Sequence, residues 1–454
     1  MKKRRQAAAL QKDMIEIIDS HDRERLTAKL ERVLKRSVVL DADLMSQVQA
    51  IIDEVRRHGD AALIDYARRF DGCVMQQSEL RIGEDELDRI AANADVSVVE
   101  ALREAIGHVR RFHEYELQES WEIETEAGVR MGQRLTPIEL AGLYVPGGTA
   151  SYPSSVVMNV VPAQVAGVKR IVVATPPRSL RENPAVAAAL VQLGIKEVYA
   201  VGGAQAIAAL AYGTETVPRV DKITGPGNRY VATAKKLVFG IVGIDSIAGP
   251  SEIVIIADDT ARAEFVAADL LAQAEHDDDA SAIVITTSVK LAHEVSVEVS
   301  RQAESLPRRA TVEKSLAAHG AVVLVDDLNE ACEIVNQLAP EHLEIVTRDD
   351  ETLAAKVLHA GAIFLGSYTP EVVGDYFAGP NHVLPTAGAS RFSSALGVYD
   401  FFKRTTVLRY SREALRRSAN KIATLAKAEG LDAHARSAEI RVDATAVVRR
   451  KPDR

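Results

Sequence analysis

Gln273 and His276 stand three residues apart at the close of an apolar helical stretch that runs straight into Asp277, Asp278 and Asp279. Residues at that spacing share a helix face, so a side-chain carbonyl oxygen and an imidazole nitrogen converge on one point. Val266 and Leu270 continue the same stripe toward a core. Divalent zinc accepts such donors at about 2.0–2.2 Å. The same residues also read as an ordinary helix end, because glutamine is an uncommon metal ligand. Cys73 and Cys332 are the only two cysteines, which excludes a disulfide framework and a thiolate zinc site. Any metal must therefore be held by histidine and oxygen donors.

Three further segments carry groups that such chemistry needs. Ala339-Pro340-Glu341-His342 sets an acid beside an imidazole after a proline, at the start of an apolar run. Neighbours on an extended chain face opposite ways, but in a turn led by proline both can face one cleft. An imidazole with a pKa of about 6.5 suits proton removal near neutrality, and a carboxylate beside it can orient or activate water. Equally, His342 can hydrogen-bond locally while Glu341 stays solvated. Gly374-Asp375-Tyr376 and Asn381-His382 lie in a long loop rich in glycine and proline, where Asp375 can complete a Gln/His half-site and His382 adds an imidazole. His434, in the run 429–434, is one more candidate imidazole.

These groups need elements to place them. From Gly142 to Asn228, short apolar strands alternate with small-residue helices. Arg170–Ala174 and Glu197–Val201 read as strands, and Pro184–Leu193 as a helix that begins at Asn183 and stops at Gly194. The pattern returns at Glu252–Ala257, Ala282–Thr286, Ala321–Val325, His342–Val346 and Ala362–Leu365. Such alternation implies parallel sheets with crossover helices, hence an α/β protein with two Rossmann-like parallel-sheet domains. Residues before Trp121 and after Gly397 read as helical, apart from a hairpin over 122–135. The pattern allows the second sheet either to be interrupted in sequence by the first or to follow it directly. The expected partition is an N-terminal helical extension over 1–40, and a first α/β domain over 41–143 and 251–396 that carries the catalytic site. A second α/β domain over 144–250 and a C-terminal helical extension over 397–454 complete it.

In open α/β sheets, ligands gather at the carboxyl ends of strands. The turns expected there are dense in glycine: Pro146-Gly147-Gly148, Gly202-Gly203, Gly225-Pro226-Gly227-Asn228 and Ala248-Gly249-Pro250-Ser251. Exposed backbone amides in such turns suit phosphate, although each turn taken singly also reads as simple turn chemistry. No G-x-G-x-x-G fingerprint occurs, so a dinucleotide would have to bind by another arrangement.

With 454 residues, 47% of them apolar and 26% charged, the chain has material for a large core. A net charge of −9 lacks the basic stripe of a nucleic-acid surface. The basic start Met1–Arg5 is followed by too little apolar sequence for a secretory signal, and the uncharged apolar run Val198–Thr214 is too short to span a bilayer. A cytoplasmic enzyme acting on a small molecule is expected, without nucleic acid or membrane.

Taken together the segments resemble one family, histidinol dehydrogenase, over about Asp41 to Val442. The resemblance rests on YVPGG from Tyr144, GGAQAIAAL from Gly202, GPGN from Gly225 and AGPSE from Ala248. It continues through QAEH from Gln273, APEHLEI from Ala339, GDYFAGPNHVLPT from Gly374 and EGLDAH from Glu429. It implies one Zn2+ per subunit held by Gln273, His276, Asp375 and His434. Glu341 and His342 would transfer protons, and Tyr144, Gln205 and Asn228 would contact NAD. The substrate L-histidinol would meet Ser251, Gln273, His276, His342, Asp375, His382, Glu429 and His434. It also implies an intertwined homodimer with the site shared between chains, and four-electron oxidation of L-histidinol through L-histidinal to L-histidine with two NAD. Neither cysteine lies in these blocks, so a water route for the aldehyde is favoured over a thiohemiacetal. The alternatives are a related dehydrogenase for another small polar alcohol and a zinc hydrolase.

Overall fold

The computed structural model describes residues 14–36, 42–147 and 152–442. Gly148, the basic start and the basic tail 449–451 lie outside these residues. Two units follow from the contacts, one comprising residues up to 116 with 139–401, the other 117–138 with the chain from 402 onward.

The first unit holds two six-stranded sheets. In one, the strand order is Ile17–Asp19, Ala321–Leu324, Ser281–Thr286, Glu252–Ala257, His342–Val346 and Ala362–Leu365, all parallel. Its inner strands are apolar on both faces, as burial between two helical layers requires. The other sheet runs Arg81–Ile82, Glu197–Ala200, Arg170–Thr175, Leu140–Tyr144, Lys222–Thr224 and Gly243–Ile244, parallel except for its first strand. The helix Ala42–Phe70 packs Leu44, Val48, Ile52 and Leu63 into the core of this second sheet, together with the helix Gly203–Tyr212.

The α/β expectation holds, and the strands foreseen from the apolar runs fall within a residue or two of their places. The expected partition needs correction. Residues 41–143 do not join the sheet that carries His342. The segments Arg81–Ile82 and Leu140–Tyr144 pair into the sheet built by 144–250, because that is where their apolar faces find partners. Nor is 1–40 only helical: Ile17–Asp19 forms an edge strand against Ala321–Leu324, followed by the helix Arg23–Leu34.

In the second unit the foreseen hairpin pairs Trp121–Glu126 with Val129–Pro137. A third strand, Phe402–Tyr410, adds antiparallel to Val129–Pro137 where helix was expected. That strand is exposed along nearly its whole length, so its side chains show no apolar alternation to betray it. The helices Arg412–Ala428 and Asp432–Val442 follow, with a small shared core of Ala423, Ala426 and Ala435. Trp121, Ile123, Leu408, Leu425, Leu431 and Ile440 remain exposed. Among the described residues, no helix is long and apolar enough to cross a membrane.

Candidate active site

The chemistry gathers at the amino edge of the first sheet, opposite to the carboxyl edge expected. The reason is topological. A crossover helix runs antiparallel to the strands it joins, so its C-terminus returns to their amino ends. The helix Ala263–Ala274 buries Val266, Ala267, Leu270 and Leu271 on the sheet and ends with Gln273, which is fully buried, and then His276. The helix Leu328–Leu338 ends likewise at Ala339, whose φ of 50° puts a non-glycine residue in the left-handed region two residues before Glu341. Such strain persists only where the surroundings over-determine it. Here the Ala339 amide donates to Val335 O at 2.7 Å, and Ser390 donates to Ala339 O at 2.7 Å.

Register then aims the Glu341–His342 pair. His342 lies opposite Ile253, so Glu252 flanks Glu341. The Glu252 amide donates to Glu341 Oε2 at 2.9 Å, and the Glu252 carbonyl accepts from His342 Nδ1 at 3.0 Å. A carbonyl can only accept, so Nδ1 carries the proton and Nε2 keeps its lone pair. Both side chains are buried. Burial lowers the His342 pKa to about 4, against the pull of Asp375, so the ring is neutral at physiological pH. Burial also raises the Glu341 carboxyl well above the usual range, and the nearby Glu252 and Asp375 charges add to it.

Around the pair is a set of buried acids. Glu371 and Asp375 sit one turn apart on the short helix Glu371–Tyr376. Glu371 Oε1 is 3.5 Å from His342 Nδ1, and Asp375 Oδ1 is 4.0 Å from His342 Nε2. These three residues offer ligand atoms within 4.8 Å of one another, a geometry that can hold a metal ion. Burial pushes the Asp375 carboxyl up. The hydrogen bond and charge of His382, helped by His342 and His276, outweigh it and hold the group below its usual range. Burial drives the Glu371 carboxyl well up, with Asp375 and Glu341 adding to the effect. Behind them, burial raises Glu344 well above the usual range and Asp269 to about 6, the two sharing a hydrogen bond. Glu252 rises to about 7 by burial, although Arg36 pairs with it at 3.0 Å.

The donor set fits a divalent cation. His276 Nδ1 lies 3.3 Å from the main-chain carbonyl of Gln273, so its Nε2 remains available as a ligand nitrogen. Asp375 is held ionised among acids that prefer to be neutral. His382 Nδ1 is 3.6 Å from Asp375 Oδ1, while its buried Nε2 has no hydrogen-bond partner. An orphaned buried polar atom of this kind marks a place for a ligand. Asn381, beside it, donates to Met158 O at 2.6 Å and so ties the His382 loop to the helix Pro153–Val165.

The structure thus brings together Gln273, His276, His342, Glu341, Asp375 and His382, with Ser251 leading into the strand that holds Glu252. Glu429 and His434 belong to the second unit, where both are exposed. Tyr144, Gln205 and Asn228 lie at the carboxyl edge of the second sheet. The Tyr144 hydroxyl accepts from the Gly203 amide at 3.0 Å, and its pKa is pushed to about 12 by burial. Gln205 is buried in the helix that Gly203 opens. Asn228 Oδ1 caps the helix Arg229–Val238 through the amides of Tyr230 and Val231 at 3.0 and 3.2 Å. Sequence reasoning missed Glu371, Glu344, Glu252, Asp269 and Arg36. Only Glu371 left a signal, its i,i+4 spacing to Asp375.

The family model described as histidinol dehydrogenase matches residues 34–442. A histidinol dehydrogenase of Geobacillus kaustophilus is 52% identical over 424 residues, covering 91% of this chain and 99% of that protein. One of Bacillus subtilis is 52% identical over 412 residues, covering 90% and 96%. Among solved structures, the histidinol dehydrogenase of Elizabethkingia anophelis superposes with a TM-score of 0.89 at 34% identity, covering 96% of this chain and 99% of that one.

Proposed function

Given that this chain belongs to the histidinol dehydrogenase family, we propose that it is a zinc- and NAD-dependent dehydrogenase that takes L-histidinol through L-histidinal to L-histidine. The observation that carries the reading is the pair Glu341–His342, both buried and both held by the main chain of one flanking residue, Glu252.

Gln273, His276 and Asp375, with the partner's His434, would hold the metal, and Tyr144, Gln205 and Asn228 would contact NAD. When bound, zinc supplies a fixed positive charge that orients the substrate's nitrogen donors, and NAD accepts a hydride in each of the two oxidations. The chain's own groups do the rest. Neutral His342, with Nδ1–H committed to the Glu252 carbonyl, uses Nε2 to take the hydroxyl proton of the alcohol. Glu341 takes a proton from the water that adds to the aldehyde. Its raised pKa makes it a stronger base once ionised, at the expense of being ionised less often near neutrality. His342, its lowered pKa returning the first proton to solvent, then removes the proton of the hydrate in the second oxidation. Asp375 and His382 orient the substrate, the unpartnered Nε2 of His382 being the free polar group.

A homodimer with shared sites accords with the second unit, whose exposed Trp121, Ile123, Leu408, Leu425 and Ile440 exceed what its small alanine core can cover. Mixing His342→Asn chains with His434→Asn chains should restore partial activity, since one site of the hybrid is then intact. No recovery despite proven subunit exchange would refute the sharing.

The function is tested by following NADH absorbance when L-histidinol and NAD are added, with and without a chelator. Two NADH per histidinol, abolished by the chelator and restored by zinc, is expected. Hydrolytic activity without NADH, or faster turnover of another small polar alcohol, would replace the reading.

A further inference from the structure

Glutamine is an unusual metal ligand because its two ends are nearly the same shape and only the oxygen can bind a cation. The surroundings of Gln273 remove that ambiguity. One end of its buried amide lies 2.9 and 3.1 Å from the two carboxylate oxygens of Glu371, and hydrogen bonding assigns the nitrogen to that end. The reverse placement would set an oxygen against two oxygens. Even a protonated Glu371 has a single O–H and would leave one of those contacts oxygen to oxygen. Glu371 is itself fixed: its amide donates to Glu344 Oε1 at 2.7 Å, and it is only 2% exposed.

We propose that Glu371 is a positioning residue that grips the NH2 end of Gln273 and so presents the Gln273 carbonyl oxygen as the only end open to the metal. The inference rests on the zinc site proposed above. A carboxyl group suits this task because, ionised or protonated, both its oxygens can accept from the NH2 end, and it can never donate from both. An amide at 371 could donate as well as accept, so it would tolerate either orientation of Gln273.

The test is zinc retention by the full-length protein, measured as a dissociation constant by competition with a chromophoric chelator. Glu371→Gln should weaken zinc by about 10- to 100-fold, the usual range for losing a group that orients a ligand. Gln273→Glu alone should also weaken it, by setting two carboxylates face to face. The double variant Gln273→Glu/Glu371→Gln restores one amide and one carboxylate in exchanged places, and should recover most of the loss. A merely structural role for Glu371 predicts no such rescue. Zinc affinity of Glu371→Gln within about twofold of the native protein would overturn the proposal. So would failure of the double variant to bind more tightly than Gln273→Glu, a comparison that stands even if Glu371→Gln alone does not fold. Gln273→Ala separates the two readings. If it keeps native zinc affinity, the ligand set itself falls. If it loses zinc while Glu371→Gln does not, only the grip by Glu371 is wrong.

Discussion

The two parallel sheets of the first unit work from opposite edges and with different materials. The second sheet offers its carboxyl edge, where glycine-rich turns bring backbone close to backbone. The first offers its amino edge, where crossover helices end and buried acids and imidazoles collect. Shape limits the former: at Gly225, φ is 117° and a Cβ would stand 2.0 Å from the Tyr144 carbonyl oxygen. Protonation state and hydrogen bonding govern the latter. A side chain added to the glycine edge should therefore act through folding, whereas an isosteric swap at the acidic edge should act through chemistry.

The largest effect expected is at the amino edge. His342→Asn keeps a similar shape but removes the base, and both oxidations should fall by at least about 10²- to 10⁴-fold, read with histidinol and with histidinal as separate substrates. Glu341→Gln should spare alcohol oxidation and stall at the aldehyde. Equal damage to both steps would dissolve the division of labour between the two residues. At the other edge, Gly225→Ala should lose about 1–3 kcal/mol from backbone strain alone, with the clash in addition, seen as a lower urea midpoint. A fully stable variant would mean that the turn has room.

A titration sharpens the contrast further. The His342 pKa lies near 4 in the folded protein, below that of the unfolded chain near 6.5. Between those values the unfolded chain binds the extra proton, so His342 contributes stability above pH 6.5 that is lost as pH falls toward 4, about 3 kcal/mol in all. Nitrogen shifts of the His342 ring should stay those of the neutral Nδ1–H tautomer down to about pH 5. A midpoint near 6.5 would remove burial as the cause. The smallest effect is expected at Cys332, which is buried on the helix Leu328–Leu338, its thiol pKa pushed up by burial. Cys332→Ala should cost about 1 kcal/mol of stability and leave turnover nearly intact, whereas a large loss of turnover would bring back a thiohemiacetal route.

Much of this is legible in the sequence alone. The strand starting at His342, the helix ending at Gln273 and the loop bearing Asp375 and His382 all announce themselves through apolar runs and the breaks between them. The edge on which they meet did not, because the carboxyl-end rule concerns typical open sheets and here the helix termini supply the ligands. Glu371 looks like a solvated acid after a proline, and nothing local shows that Gln273 will be buried against it. Arg36 and Glu252 are 216 residues apart in the chain, and their pairing follows from topology alone. The strand Phe402–Tyr410 escaped notice because it is exposed on both faces. The grouping of 41–143 with the second sheet likewise depends on which apolar face finds which partner.

Because the main chain of Glu252 holds both Glu341 and His342, no replacement at 252 other than proline removes either hydrogen-bonding group. What would release them is a slip of one residue between neighbouring strands, which hands both hydrogen bonds to the wrong main-chain partner and turns both side chains to the other face. A chain that is compact but out of register is thus silent. Activity regained during refolding should count the molecules whose strands are correctly zipped, and should lag behind any signal that reports collapse alone.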